Sequence, residues 1–552
     1  MKVKYVIGID FGTESGRGIL VNTTTGEECA LAVHAYEHGV LDEQLPDRTE
    51  LGQDWALQNP SDYLDVLQLI VRDLLKQSQV SAEDVVGIGV DFTSCTILPI
   101  DKNGDPLCLQ PELKNRPHSW VKLWKHHAAH KEAAQITELA KERDEAFLAR
   151  YGGTISSEWM VPKVLQVVHE DIEVYEQADL FMEVGDWIVY QLTGNLVRSS
   201  NTSGYKALWN YREGYPDNDF FKALHPKLDN IATTKLRGEV RQVGEKAGSL
   251  KEEMAEKLGL LPETSVAVNI IDAHAAVPAI GAVKPGQFVM AIGTSTCHML
   301  LTEEEKLVEG VCGTVENGII PGLTSYETGQ VAVGDSFSWF VENNVPHYVF
   351  EEAKRSNQSV HQILENKAAA LKPGDSGLIA LDWWNGNRSV LVDPNLSGMI
   401  LGLKLTTKPE EIYRALIEST AFGTRKIVEN FKENDVAVNE VFACGGIPQK
   451  NNMLNQIYAD VLNSEVKIAD SSEVTALGAA IYAATAAGEE NGGFNSVESA
   501  AATMAKIKEE TFKPIKENVE LYNKLYEVYE KAHDFYGRDY PDLMHQLKFI
   551  HE

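Results

Sequence analysis

Two short polar turns, each between two apolar runs, recur far apart in this 552-residue chain. The first turn is GTES at residues 12–15, and the second is GTST at residues 293–296. The flanking apolar runs predict strands over residues 3–10, 16–22, 288–292 and 297–301. Strand-length runs around a small turn that contains glycine are typical of β-hairpins. Two hairpins of one type predict a duplicated architecture, with one copy in each half of the chain.

The tips of these hairpins offer groups that bind a phosphate. Glycine lets phosphate oxygens approach the backbone, and the hydroxyl groups of threonine and serine donate hydrogen bonds. The candidate phosphate ligands are Gly12, Thr13, Ser15, Gly293 and Thr294. Asp10, at the end of the first strand, is the candidate ligand for Mg²⁺. One such hairpin alone is equally consistent with a plain glycine-rich turn, but two that face each other predict a clamp around the phosphates of a nucleotide.

A third glycine cluster follows a predicted strand in the second half of the chain. In the segment VFACGGIPQKNNMLNQIYAD the strand ends at Gly445 and Gly446, and a helix begins soon after with Asn452 near its first turn. Backbone exposed at two glycines suits the flat face of a purine. Because a strand, two glycines and a helix also form a common packing unit, the segment taken alone favours packing.

The charge and the cysteines restrict the partners of the chain. A formal net charge of −31 repels polyanions, so nucleic acid and anionic membrane surfaces are not expected partners. The six cysteines lie singly, without a CxxC pair, as is usual for reduced thiols. No apolar run reaches the roughly 18 residues of a membrane span. These features predict a cytoplasmic protein with small-molecule ligands, and they leave homo-oligomerisation open.

Three other segments have helical patterns. Residues 178–195 predict one helix that glycine ends. A longer helix is predicted after Thr407 and Glu410, which are spaced as a capping box. Near the C-terminus, three tyrosines at helical spacing predict a buried helix face: Tyr522, Tyr526 and Tyr529.

The hairpins, the glycine cluster and the helix after the second hairpin together resemble the FGGY family of carbohydrate kinases. The segment GMILGLKLTTKPEEIYRALIESTAFG (398–423) is similar to the family's second signature, and the resemblance spans about residues 4–490. It implies an α/β fold of two actin-like (ribonuclease H-like) domains of the actin/hexokinase/Hsp70 superfamily, with an inter-domain cleft. The implied domains are 1–264, with the sugar site and first hairpin, 265–490, with the second hairpin and adenosine pocket, and a helical extension over 491–552.

The resemblance also implies ATP and Mg²⁺ and assigns roles to residues. Asp272, in NIIDAHAA, matches the position that takes the proton from the attacking sugar hydroxyl. General base catalysis is typically worth about 10² to 10⁴ in rate. The alternative for Asp272 is an ordinary cap of the helix that follows it. The residues matched to the adenosine pocket are Gly334, Gly445, Gly446 and Asn452.

Several stretches resemble, more narrowly, the members of the family that act on L-ribulose: GVDFTSCTILPID, RPHSWVKLWKHHAAH, NTSGYKALWN and YETGQVAVGDSFSW. The resemblance implies ATP-dependent phosphorylation of L-ribulose at the C5 hydroxyl, a step of L-arabinose catabolism. The matched sugar-binding residues are Ser94, Trp124, Lys206 and Glu327. For Lys206 and Glu327 the alternative is an ordinary ion pair, and for Trp124 it is a core position.

Three other functions stay open at this point. The first is a kinase for another ketopentose or a pentitol, such as D-ribulose, D-xylulose or ribitol. The second is a nucleotide-gated binding protein of the actin or Hsp70 type, which has no need of Asp272 beside a sugar-sized pocket. The third is a sugar sensor without catalysis, which the presence of Asp10, Thr13, Asp272 and Thr294 argues against.

Overall fold

Each predicted hairpin forms the first two strands of a mixed β-sheet in the computed structural model, which describes residues 3–549. The strands are β1 (Tyr5–Phe11), β2 (Ser15–Asn22), β3 (Glu28–Ala35), β4 (Leu57–Gln58), β5 (Val85–Phe92), β6 (Ile97–Ile100), β7 (Val121–Lys122), β8 (Leu180–Glu183), β9 (Val197–Ser199), β10 (Glu239–Arg241), β11 (Lys246–Ser249), β12 (Ser265–Ala267), β13 (Ile270–Ile271), β14 (Gln287–Ile292), β15 (Thr296–Thr302), β16 (Gly313–Glu316), β17 (Thr324–Gln330), β18 (Ile379–Leu381), β19 (Met399–Leu401), β20 (Glu440–Cys444) and β21 (Val466–Ile468).

The α-helices of the described residues are α1 (Pro60–Ser78), α2 (His130–Glu142), α3 (Met160–Glu170), α4 (Ile172–Gln177), α5 (Val184–Thr193), α6 (Ser200–Lys206), α7 (Asn218–Leu224), α8 (Glu252–Leu258), α9 (Asp272–Ala279), α10 (Gly334–Asn344), α11 (His347–Ser356), α12 (Val360–Ala369), α13 (Pro409–Glu433), α14 (Asn452–Leu462), α15 (Val474–Ala487), α16 (Val497–Met504), α17 (Lys516–Asp534) and α18 (Asp542–Phe549).

The two large sheets share one strand order. In the first, β1 and β2 are antiparallel, β3 lies beyond β2, and β5 and then β12 lie on the other side of β1 in parallel pairs. In the second, β14 and β15 are antiparallel, β17 lies beyond β15, and β20 and then β21 lie on the other side of β14 in parallel pairs. This repeated order confirms the predicted duplication.

Helices α9 and α15 lie between the two sheets. One hydrophobic cluster contains side chains from β1 and β2, from β14 and β15, and from both helices. Glycines let the backbones of these elements approach closely. A Cβ atom added to Gly89 of β5 would lie 2.2 Å from the carbonyl oxygen of Ala479, and one added to Gly8 of β1 would meet another α15 carbonyl at 1.9 Å. A Cβ on Gly478 of α15 would lie 1.8 Å from the carbonyl oxygen of Ala275 in α9.

A smaller sheet lies beside the first one and carries two predicted sugar residues to its edge. Its strand order is β4-β7-β6-β8. Ser94 lies in the loop between β5 and β6, and Trp124 follows β7. Ser94 therefore lies on a connection between the two sheets and Trp124 on the connection from β7 to α2, and such loops commonly carry binding residues.

The predicted helix over residues 178–195 is wrong in its first part. Leu180–Glu183 forms strand β8, and helix α5 begins only at Val184 and ends at the left-handed Gly194. Strand β8 pairs with β6 over its whole length. The apolar run has no periodicity that separates a buried strand from a buried helix, and pairing with a distant strand decided between them.

The predicted capping box at Thr407 and Glu410 is also wrong, by one residue. Helix α13 begins at Pro409, and the N–H group of Lys408 donates to the carboxylate of Glu411 at 2.6 Å. The hydroxyl of Thr407 instead accepts a hydrogen bond from the N–H of Lys404 at 2.9 Å. Thr407 thus closes the preceding turn. Glu411, in the first turn of the helix, accepts the N–H group at the helix start, and Thr407 takes no part in this cap.

The three tyrosines near the C-terminus lie on one buried face of α17, as predicted. Each hydroxyl donates to a carboxylate of the second half: Tyr522 to Glu418 at 2.9 Å, Tyr526 to Glu429 at 2.6 Å and Tyr529 to Asp382 at 2.9 Å. Glu418 and Glu429 belong to α13. The last long helix is therefore held to α13 by hydrogen bonds as well as by ring contacts.

Between residues 3 and 549 the structure contains no helix that is long and apolar enough to pass through a membrane. We keep the domain limits 1–264, 265–490 and 491–552 as a proposal.

We expect Gly89→Ala to lower the stability of the protein because its Cβ would overlap a backbone carbonyl of α15. Overpacking of this kind typically costs about 1–3 kcal/mol. The measurement is the midpoint of urea or thermal unfolding. The matched control is Gly446→Ala, whose Cβ would meet no atom within 4 Å. An unchanged midpoint in Gly89→Ala would show that α15 and the sheet are not held together as described.

Candidate active site

The two hairpin tips have similar local structure. The N–H group of Gly12 donates to the carbonyl oxygen of Ser15 at 3.0 Å, and that of Gly293 donates to the carbonyl oxygen of Ser295 at 2.8 Å. At the two tips, residues 12–15 and 293–295 are partly or fully exposed, whereas most residues of the flanking strands are buried. The backbone and hydroxyl groups of both tips are therefore accessible, as phosphate ligands have to be.

The second tip contacts the start of helix α10. The N–H groups of Val333 and Gly334 donate to the carbonyl oxygens of Thr294 at 2.8 Å and of Gly293 at 3.1 Å. A Cβ atom on Gly334 would lie 2.7 Å from the carbonyl oxygen of Gly293 and 2.9 Å from the side chain of Ile447. The structure thus brings together three of the residues predicted to bind the nucleotide. Position 334 has to be glycine because a Cβ atom there would overlap its neighbours.

The glycine pair after β20 borders the same strand end. Gly445 has a φ of 102°, and a Cβ there would lie 2.3 Å from the carbonyl oxygen of Ile292. A Cβ on Gly446 would meet no atom within 4 Å. Asn452 is exposed at the start of α14, while Asn451 caps that helix by accepting the N–H of Leu454. Gly445 is needed for packing, whereas Gly446 and Asn452 are available to a ligand; their role in adenosine binding stays a prediction.

Three aspartates lie at the carboxyl ends of adjacent strands in the first sheet. Asp10 of β1 and Asp91 of β5 are direct partners in a parallel pair. Asp272 follows β13, which also pairs with β5. The Oδ2 atom of Asp10 accepts a hydrogen bond from the hydroxyl of Thr475 at 2.9 Å and lies 3.4 Å from Nε of Arg17. The carboxyl ends of parallel strands are a common place for ligand sites in α/β sheets.

Asp91 is a residue that the sequence interpretation missed. Its side chain is fully buried, and neither carboxylate oxygen has a hydrogen-bond partner. Burial, followed by the charge of Asp10, raises the pKa of Asp91 well above its ordinary value. A signal was present: Gly8-Ile9-Asp10-Phe11 in β1 is repeated as Gly89-Val90-Asp91-Phe92 in β5.

Asp272 has the position and the pKa of a general base. It is the first residue of α9, is only partly exposed, and accepts the N–H of Ala273 at 2.7 Å. Burial, followed by the charge of Asp10, raises the pKa of Asp272 to about 7. A base whose pKa lies near the working pH combines a large ionised fraction with useful basicity.

A buried charge cluster lies near Asp272, and the charges of two of its members act on the Asp272 carboxylate. The ammonium group of Lys206 lies 2.8 and 2.9 Å from the two carboxylate oxygens of Glu327, and Nε2 of His274 lies 3.1 Å from the same carboxylate. All three side chains are buried. Burial acts to raise the pKa of Glu327, but Lys206 and His274 outweigh it and hold that pKa well below its ordinary value. For Lys206, burial acts downward, and the charge of Glu327 raises the pKa overall.

Two further residues that were not predicted hold this cluster in place. The side-chain amide of Asn201, in α6, donates to Nδ1 of His274 at 2.9 Å, and its oxygen accepts the N–H of Ile271 at 3.0 Å. Asn201 therefore connects the helix that carries Lys206 with the strand that precedes Asp272. In the segment NTSGYK, the sequence predicts a site role for the lysine only. No pattern in the sequence indicates that its asparagine contacts a distant histidine.

The side chains of Trp124 and Ser94 are both accessible to solvent. The indole N–H of Trp124 donates to the hydroxyl of Thr13 at 3.0 Å, and the side chain is 37% exposed. Trp124 is thus not a core residue. It is a predicted sugar-binding residue whose side chain contacts the first hairpin tip. The hydroxyl of Ser94 lies 3.1 Å from Sγ of Cys95 and is partly exposed. The sugar-binding role of both residues stays a prediction.

An ion pair between the two halves adds two more polar groups near the charge cluster. Arg388 donates to the carboxylate of Glu158 at 3.3 Å. The charge of Arg388 also acts on Glu327 and on Lys206 of the charge cluster. Neither residue was predicted, because each lies in a loop without a distinctive pattern.

We expect Glu327→Gln to destabilise the protein because it leaves the ammonium of Lys206 buried without a counter-charge. Removing one partner of a buried ion pair typically costs about 3–5 kcal/mol. The double variant Lys206→Met/Glu327→Gln removes both charges and should unfold at a higher urea concentration than the single variant. If both variants unfold at the same concentration, the two charges are not coupled.

Comparison with known proteins identifies the family of this chain. The model of the N-terminal domain of the FGGY family of carbohydrate kinases matches residues 5–279, and that of the C-terminal domain matches residues 288–487. The chain is 58% identical to a ribulokinase of Geobacillus thermodenitrificans over 549 residues, which are 99% of this chain and 97% of the relative. It is 45% identical to a ribulokinase of Mycolicibacterium smegmatis over 99% of this chain and 96% of the relative.

Solved structures agree on the fold. A xylulose kinase from Rhodospirillum rubrum superposes with a TM-score of 0.79 at 22% identity, covering 97% of this chain and all of that one. The Plasmodium falciparum glycerol kinase with ADP has a TM-score of 0.74 at 16% identity, covering 96% and 98%. These neighbours confirm the predicted fold class of two actin-like domains. The chain belongs to the FGGY family of carbohydrate kinases.

Proposed function

We propose that the chain is an ATP-dependent kinase that converts L-ribulose to L-ribulose 5-phosphate, a step of L-arabinose catabolism. Relatives that are 42–58% identical over almost the whole chain and are named ribulokinases support this substrate. The observation that carries the reaction is the place of Asp272. The charges of Asp10, Glu327 and Lys206 all act on its carboxylate, so it lies near both the strand-end aspartates and the buried cluster.

The residues have the following roles in the proposed reaction. Lys206 and Glu327, held by His274, present a fixed array of charge to the sugar hydroxyls, and Trp124 covers one side of the sugar. Asp272 accepts the proton of the C5 hydroxyl as its oxygen attacks the γ-phosphorus of ATP. The bond from that phosphorus to the β–γ bridging oxygen breaks in line, and ADP leaves.

The hairpin tips stabilise the charge that spreads over the transferred phosphoryl group. The N–H groups of Gly12 and Gly293 donate within the turns and hold them in shape, so the N–H and hydroxyl donors proposed for the phosphates come from residues 13–15 and 294–295. Donors that are fixed before the reaction do not have to reorganise during it, and this is the main source of electrostatic catalysis.

The residues at the strand ends fit Mg²⁺. Asp10 and Asp91 offer carboxylate oxygens, which are the ligands this ion prefers, and both oxygens of Asp91 lack a hydrogen-bond partner. Asp10 would hold the ion, and the ion when bound would neutralise charge on the phosphates. Asp10 itself is kept in place by Thr475.

Other assignments have weaker support. A kinase for D-ribulose, D-xylulose or ribitol would use the same base and the same phosphate groups, so only the sugar distinguishes it. A nucleotide-gated protein of the actin or Hsp70 type needs neither Asp272 nor a buried Lys206–Glu327 pair. We also propose a cytoplasmic location, since the six cysteines are all unpaired.

We expect the protein to release ADP from MgATP fastest with L-ribulose among L-ribulose, D-ribulose, D-xylulose, ribitol and glycerol. Asp272→Asn should lower the sugar-dependent turnover by about 10² to 10⁴ because it removes the proton acceptor. The measurement is coupled ADP release. No stimulation by any sugar would overturn the kinase proposal, and near-normal turnover in Asp272→Asn would overturn the role of this residue.

The same base predicts a pH dependence. Only the ionised form of Asp272 accepts a proton, and its pKa is raised to about 7, so activity should be lost as the pH falls through this value. A Mg²⁺ ion held by Asp10 would offset the charge of that residue and would move the loss of activity to lower pH. We therefore expect kcat/KM for the sugar to fall about tenfold per pH unit below a pKa at or under about 7. A profile that is level from about pH 8 to pH 4 would contradict the assignment.

A further inference from the structure

The buried carboxylate of Asp91 lies beside the proposed Mg²⁺ ligand Asp10, but the reaction as proposed above gives it no role of its own. Its side chain is fully buried, and neither oxygen has a hydrogen-bond partner. Burying a carboxylate is costly unless hydrogen bonds, an opposite charge or a metal ion compensate it. Within residues 3–549, the one side chain at hydrogen-bond distance from Asp91 is the carboxyl group of Asp10, which is itself an acid, so an opposite charge has to supply the compensation.

The register of the strands determines which side chains lie next to Asp91. Asp91 and Asp10 are partners in the parallel pair of β5 and β1, so both side chains lie on the same face of the sheet. Asp272 follows the strand on the other side of β5. The carboxylates of Asp10 and Asp272 both act electrostatically on Asp91. Asp91 thus lies between the proposed metal ligand and the proposed base.

The nearest cation is shared with other acids. Arg17 also acts on Asp91, but its Nε lies 3.4 Å from Asp10 and its Nη1 lies 3.5 Å from Glu473. Thr475 donates to Asp10 and not to Asp91. One arginine beside four carboxylates, those of Asp10, Asp91, Asp272 and Glu473, leaves a surplus of negative charge at the end of this sheet.

We propose that Asp91 is a second carboxylate of the divalent-cation site, where it acts beside Asp10. The inference rests on the proposed function, because the ion is the one that accompanies ATP. Mg²⁺ usually keeps several of its water ligands in proteins, so a carboxylate behind Asp10 can bind one of those waters. A divalent ion at this point would balance two like charges that lie side by side without a hydrogen-bond donor for Asp91.

The test measures metal binding rather than turnover. Mn²⁺ replaces Mg²⁺, and its affinity for the protein with saturating ADP is measured by electron paramagnetic resonance. Asp91→Asn keeps the shape of the side chain and removes its charge. We expect it to weaken Mn²⁺ binding by about 10- to 100-fold, as is typical when an outer partner of a metal site is lost. Asp10→Asn is the positive control.

The matched control is Glu183→Gln. Glu183 is also buried in the first half and also has one oxygen without a partner, but the charges near it are those of Asp186, Lys163, Lys206 and Arg198. We expect this variant to bind Mn²⁺ like the unchanged protein. The unfolding midpoint of each variant shows that it is folded, and Asp91→Ser serves if Asp91→Asn does not fold.

Unchanged Mn²⁺ affinity in a folded Asp91 variant would overturn the inference, and so would an equal loss in Glu183→Gln. The proposed function fails in a different way. If the unchanged protein releases no ADP with any sugar of the panel, the kinase proposal is lost whatever the Mn²⁺ result. If that protein is active and Asp91→Asn binds Mn²⁺ normally, only the role of Asp91 is lost.

Discussion

The close contact of helix α15 with the first sheet and with helix α9 is the constraint on which the rest of the structure depends. Neither contact leaves room for a Cβ atom at Gly89 or Gly478. Asp272 begins α9, and Thr475, which holds Asp10, lies in the first turn of α15. The packing that joins the two halves therefore also sets the distance between the proposed base and the proposed metal ligand.

The cleft combines this rigid centre with two opposite electrostatic arrangements. At the strand ends, Asp10, Asp91 and Asp272 lie close together, and burial, followed by the charge of Asp10, raises the pKa of the proposed base. Farther along, Lys206 and Glu327 neutralise each other in a buried pair. The first arrangement favours binding of a cation and a proton, and the second, which has no net charge, is the pair that we propose binds the neutral hydroxyl groups of the sugar. Phosphoryl transfer to a sugar requires both, side by side.

Local patterns predicted the parts of the fold that depend on neighbouring residues, and distant contacts decided the rest. The hairpins were predicted because Gly12 and Gly293 lie in turns between strand-length apolar runs. Strand β8 was missed because its identity depends on pairing with β6. The same division applies to the site: Asp272 and Lys206 were found through family resemblance. His274 and Asn201 were missed because their contact joins positions far apart in the chain.

The tyrosine face of α17 shows that residues beyond the family match pack against residues within it. The family match ends at residue 487, yet Tyr522 and Tyr529, which lie beyond it, donate to the buried carboxylates of Glu418 and Asp382 within it. A chain ended at residue 487 would keep every matched residue but would leave an apolar groove along α13 and acids without these donors. The end of the family match and the point at which the chain can be cut without loss of packing are therefore different places in this protein.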